Sequence, residues 1–115
     1  MKAIDLYPNY SEAHFNLGVT LQKQGKFKKA EESFRKVVAL NPDYAAEAQF
    51  KLGFVLQKQG ELKRAVESYT KAIKLKLDYA EAYNNLGNTY KELGKLKKAE
   101  AMFKQAVAFK PKYAD

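Results

Sequence analysis

The chain has 115 residues, with 21 Lys and Arg against 13 Asp and Glu and a formal net charge of +8. Its 46% hydrophobic content is spread evenly, which suits one continuous core and excludes a disordered segment. The absence of cysteine excludes disulfides and thiolate sites, a single histidine (His14) leaves almost nothing for catalysis or metal binding, and no apolar run approaches the roughly 18 residues of a membrane span.

Residues 3–10, Ala-Ile-Asp-Leu-Tyr-Pro-Asn-Tyr, read like residues 72–79 and are expected to be the end of a truncated repeat. The first full unit spans 11–44. Ala13, Leu17, Thr20 and Leu21 are spaced three and four apart, as on one face of a helix. Gly25 suits a helix C-cap, and the apolar spacing resumes with Phe27, Ala30, Phe34, Val37 and Val38. Pro42 ends that second helix, and Asp43 is placed to cap the next one. The second unit, 46–79, repeats the plan with Ala48, Leu52, Val55, Leu56, Gly60, Ala65 and Tyr69, and Asp78 is again a candidate cap. It matches the first at 18 of 34 positions, which removes chance as an explanation. The third unit, 80–113, brings Leu86-Gly87, Gly94, Ala99, Phe103 and the closing Pro111-Lys112-Tyr113.

Small and large residues recur in register. Gly18, Gly53 and Gly87 remove a side chain where the two helices of a unit meet, and Ala30, Ala65 and Ala99 let their axes approach to about 8 Å. Phe34, Tyr69 and Phe103 are expected to fill the space between one hairpin and the next. The junction at Ala45-Ala46 holds one residue more than the one at Ala80, so a longer or distorted turn is expected there. An all-α stack of helical hairpins follows, because one hairpin alone cannot bury both faces.

The Leu-Gly pair, spaced alanine, aromatic and closing proline on a 34-residue period resemble the tetratricopeptide repeat over residues 11–113. Residues 79–88 are especially similar to repeats preceding O-linked N-acetylglucosamine transferases and to related bacterial scaffolds. His14 and Gln49 stand where the family often has Trp or Tyr, and Leu77 replaces the closing proline. The resemblance implies a right-handed α-α superhelix of three repeats plus the N-terminal partial one. It also implies a concave groove, lined by the first helix of each repeat, that binds a protein or peptide without catalysis or cofactor.

Family positions carried onto this chain place Phe15, Asn16, Val19 and Lys23 in the groove from the first repeat. The second supplies Phe50, Lys51, Phe54 and Lys58, and the third Asn84, Asn85, Asn88 and Lys91. Glu12, Glu47 and Glu81 accompany them. Four apolar residues, Phe15, Val19, Phe50 and Phe54, are expected to anchor an apolar ligand side chain. Asn16 and Asn85 stand where transferase-like arrays carry an asparagine ladder for peptide backbone, interrupted by Lys51. The carboxylate clamp of chaperone-binding members does not fit, because Phe15, Val19, Lys51, Glu81 and Asn85 occupy its places.

The surplus charge recurs at the start of each second helix, as Lys28 and Lys29, Lys63 and Arg64, and Lys97 and Lys98. Stacking would align these into a basic edge, a place disfavoured by the helix dipole. The functional alternative there is an edge that docks nucleic acid or an acidic partner, nucleic acid being the less expected of the two, and solubility is the simpler account. Phe103, Val107 and Phe109 are expected to be partly bare at the end of the array, which favours a longer parent array or self-assembly by terminal-helix stacking.

Overall fold

The computed structural model describes the backbone of residues 2–110 and the side chains of residues 10–110. Six helices follow one another among the described residues: α1 (Lys2–Lys23), α2 (Phe27–Leu40), α3 (Ala45–Lys58), α4 (Leu62–Leu75), α5 (Ala80–Glu92) and α6 (Leu96–Phe109). Each packs on its neighbour in sequence, and α3 also touches α5, so three hairpins stack into a superhelical rod of 50 × 27 × 23 Å. The closing Pro111-Lys112-Tyr113 lies outside the described residues. Residues 3–10 form the first part of α1, where a repeat end would place a turn. The fixed φ of Pro8 is itself helical, so it removes one hydrogen bond without ending the helix.

The hairpin turns owe their shape to glycine. Gly25, Gly60 and Gly94 have φ of +79°, +81° and +80°, a region that costs a side chain about 1–2 kcal/mol. At Gly60 the amide donates to the Gln57 carbonyl at 3.0 Å, and the Glu61 amide donates to Leu56 at 2.9 Å. This pair of bonds satisfies the last carbonyls of α3 and reverses the chain.

The connectors 41–44 and 76–79 are equal in length, so the extra residue of the second unit is not in the turn. It lengthens α3 to 14 residues against 13 in α5. The first connector is locally distorted into a 3-10 turn, Pro42–Tyr44, with Asn41 Oδ1 accepting from the Asp43 amide at 2.9 Å. Asp43 and Asp78 do not cap as expected. Tyr44 and Tyr79 hold the N-cap places of α3 and α5 with no capping bond to the helix from their side chains, and in the first connector Asn41 does the capping instead.

Two apolar clusters tie the rod together. Ala30 and Phe34 of α2 bury Leu52 and Val55 of α3, and Ala65 and Tyr69 of α4 bury Leu86 of α5 together with Leu56. Phe34 and Tyr69 therefore bridge successive hairpins, and each ring also lies flat on a glycine of its own hairpin. A Cβ on Gly18 would stand 2.7 Å from the Phe34 ring, one on Gly53 2.6 Å from Tyr69, and one on Gly87 2.7 Å from Phe103.

The first junction adds a buried charge. Glu31 of α2 accepts from Arg35 at 2.7 Å, from Arg64 of α4 at 2.8 Å and from Gln59 at 3.1 Å. Burial pushes its carboxyl up, but the hydrogen bonds from Arg35, Gln59 and Arg64, with the Arg35 charge, outweigh that and hold it down at about 2.

Two outcomes follow from these contacts. Gly53→Ala is expected to destabilise by about 1–3 kcal/mol in urea denaturation, because the fully buried Tyr69 ring has nowhere to go. Gly87→Ala should cost less, since the half-buried Phe103 ring has room to swing. For Glu31, a folded pKa below the ordinary 4.5 means stability that is present above that value and lost as pH falls toward about 2. Wild type should therefore lose more stability than Glu31→Gln between pH 4.5 and 2, measured by thermal melts at each pH.

Candidate functional site

The first helices share one face of the rod, and that face is hollowed. One cavity of about 250 Å³ is walled by Phe15, Phe50, Tyr79, Lys51, Lys76 and the carboxylates of Glu47 and Glu81. A second, of about 220 Å³, adjoins it through Phe15 and Glu47 and adds Glu12, Asn16 and Tyr44. The helical register causes this. Phe15 and Phe50 stand three residues before Gly18 and Gly53, so one side of each ring reaches the core and the other the hollow. Phe15 meets Phe34 edge-on at 5.7 Å and Tyr44 at 6.4 Å. Phe50 meets Tyr69 at 5.8 Å and Tyr79 at 5.2 Å.

Charge is graded around these rings. Lys51 Nζ stands 6.0 Å from the Phe50 ring centre and Lys76 Nζ 4.6 Å from that of Tyr79. Glu47 and Glu81 open α3 and α5, Glu12 holds the same repeat position in the middle of α1, and Lys110 pairs with Glu81 at 3.8 Å. The hollow thus offers apolar ring faces between acids and lysines, a lining for a mixed polar and apolar chain.

The other sequence-predicted groove residues divide. Val19 and Phe54 are half-buried and pack on the cluster of Ala30, Phe34, Leu52 and Val55, and Lys58 covers the Phe54 ring at 5.4 Å. Phe15 leans on the same cluster, but Val19 and Phe54, unlike it, line neither hollow. Asn85 donates to the Tyr69 hydroxyl at 3.5 Å, and that hydroxyl donates to Gln57 Oε1 at 2.9 Å. Gln57 in turn donates to Glu92 at 2.8 Å. Burial pushes the Tyr69 hydroxyl above the usual phenol range. The amide of Asn85 is therefore drawn into the joint between the second and third units. Asn16 and Lys23 are exposed, and Asn84 and Asn88 half-buried. Lys91 lines a different hollow, on α6.

Tyr44, Tyr79 and Lys76 are lining residues that sequence reading missed. For the tyrosines the signal was present, since each closes a unit four residues after the leucine that ends the second helix, Leu40 or Leu75. The basic edge is also altered. Lys28, Lys29, Lys63, Lys97 and Lys98 are exposed, but Arg64 turns away to Glu31, whose buried carboxylate needs it. Lys98 lies 5.6 Å over the Tyr90 ring. His14 is half-buried, edge-on to Tyr10 at 4.4 Å. Phe109 stacks on Tyr83 at 5.6 Å and is still 43% exposed, partly bare as expected. Among the described residues no acidic or His group could hold a metal ion, and no helix is long and apolar enough to cross a membrane.

Comparison with curated protein sequences finds no match. Among solved structures, MamA is 33% identical with a TM-score of 0.84, covering 96% of this chain and 64% of its own. PcrH in complex with the chaperone-binding region of PopB is 25% identical with a TM-score of 0.83, over 88% of this chain and 81% of PcrH. YrrB, described as a TPR protein with an unusual peptide-binding site, is 28% identical with a TM-score of 0.80, over 88% of this chain and 52% of its own. The chain thus spans less than two thirds of the length of MamA and YrrB. Tetratricopeptide repeat profiles match residues 44–112 and 11–44. With its turns, its glycine–aromatic contacts and both profiles in agreement, the chain belongs to the tetratricopeptide repeat family.

Proposed function

We infer that the chain is a non-catalytic protein-interaction module whose first-helix groove holds an extended peptide segment. The observation that carries this reading is the pair of adjoining hollows floored by Phe15 and Phe50. Each ring leaves one face uncovered by the core, and covering a large apolar group of a ligand there is worth about 1.5–3 kcal/mol. First helices of neighbouring repeats lie roughly 10 Å apart, the reach of about three extended residues. A peptide crossing both hollows would therefore present one anchoring side chain to each. Glu12 and Glu47 favour a basic residue in the smaller hollow, while the larger one sets Lys51 and Lys76 beside Glu47 and Glu81 and can pair with either charge. Peptide binding by YrrB and the PopB segment held by PcrH support the same class of role.

Selection of a displayed 12-residue peptide library against the wild-type chain provides the test. Peptides so obtained should bind Phe50→Ala about tenfold to a hundredfold more weakly by calorimetry. Lys51→Glu should shift the selected peptides away from acidic residues. Thermal melts of both variants separate a lost contact from a lost fold. Should Phe50→Ala with Phe54→Ala bind as wild type does while Lys97→Glu with Lys98→Glu abolishes binding, the basic edge is the docking surface and the groove reading fails.

A further inference from the structure

The two ends of the rod carry the separated halves of a junction that the molecule already makes inside itself. At the start, Leu17 on α1 is 48% exposed, whereas Leu52 and Leu86 in the same place are 2% and 3% exposed. Thr20 beside it is exposed, yet Thr89 in its place is fully buried with its hydroxyl donating to the Asn85 carbonyl at 2.8 Å. The α1 face is therefore built like one that is covered. On α6, Leu96, Ala99, Phe103 and Val107 line an apolar hollow of about 410 Å³. Ala30 with Phe34, and Ala65 with Tyr69, hold those places in the earlier repeats and there receive Leu52 and Leu86.

The polar residues at the two ends match as well. Where α2 carries Glu31 and Arg35, α6 carries Glu100 and Lys104, paired at 3.5 Å. Where Gln59 and Arg64 reach Glu31, the first repeat has Gln24 and Lys29, both exposed. The second junction has no such set, since Val66, Thr70 and Leu93 stand in the places of Glu31, Arg35 and Gln59. The beginning of this chain thus complements its own end in shape and in charge, in the manner of its first internal junction.

We propose that the chain stacks head to tail on a second copy of itself. The partner's Leu17 seats between Ala99 and Phe103, and Glu100 accepts from the partner's Gln24 and Lys29. The contact joins unlike patches, so each added copy leaves one free face of each kind and assembly grows with concentration. The hollows at Phe15 and Phe50 lie on the groove side and stay open.

Sedimentation velocity of the full chain over a concentration series tests this. Wild type should grow in mass with concentration, while Leu17→Glu alone and Val107→Glu alone should each remain monomeric. Both replaced side chains are already exposed in the single chain, so circular dichroism should show the fold intact. An equimolar mixture of the two variants should form a 1:1 dimer and stop there, because each supplies the face that the other lacks. Lys29→Glu and Glu100→Lys should each weaken association about tenfold, and the double variant should recover it. A wild type that stays monomeric throughout overturns the proposal. So does self-association that survives Leu17→Glu, which would mark an α6-to-α6 contact, or a mixture that fails to dimerise.

Discussion

The contact of an aromatic ring with a glycine inside each hairpin sets the geometry on which everything else rests. Phe34 on Gly18, Tyr69 on Gly53 and Phe103 on Gly87 lie so close that a methyl group could enter only if the ring moved. Close approach of the paired helices turns the Leu side of each first helix toward the preceding hairpin. Its other side, with Phe15 and Phe50, is left facing the hollow. The core and the groove are thus two sides of one packing decision. A ring that sits on glycine from below is also the floor against which Phe15 and Phe50 lean.

The junctions between hairpins share this geometry but differ in chemistry. The first closes over a carboxylate held by two arginines and a glutamine, and the second closes over Val66 and Leu93 with the Tyr69 hydroxyl network on its groove side. A buried carboxylate adds little net stability when its desolvation is counted, but it tolerates a wrong partner poorly. The first joint therefore selects its neighbour by charge and the second by fit.

Much of the fold was legible in the sequence because periodic apolar spacing and isolated glycines report directly on helix faces and turns. Gly25, Gly60 and Gly94 announce their left-handed turns, and the alignment of Gly18 with Gly53 and Gly87 announces the close contact. Pairing between units was not legible. Arg64 sits in a run of basic residues and gives no local sign that Glu31, 33 positions earlier, claims it. Asn85 has the place of a ladder amide, yet a hydroxyl that Phe34 and Phe103 lack draws it inward. The cap residues failed for a similar reason, since the Asn41 side chain takes the Asp43 amide into a 3-10 turn that Lys76, in the same place of the other connector, cannot make. Periodicity tells which way a side chain points, and it does not tell what will be waiting there.

The single inserted residue near the start of α3 has one further effect. It places Tyr44 one residue farther along the chain from Gly53 than Tyr79 is from Gly87, and the ring pairs also differ, 6.4 Å for Phe15 with Tyr44 against 5.2 Å for Phe50 with Tyr79. Neighbouring compartments of a perfectly periodic scaffold would be interchangeable, and a strand lying across them could slip by one period without penalty. Here the two compartments differ in volume and lining, so a strand lying across them would have a single favoured alignment.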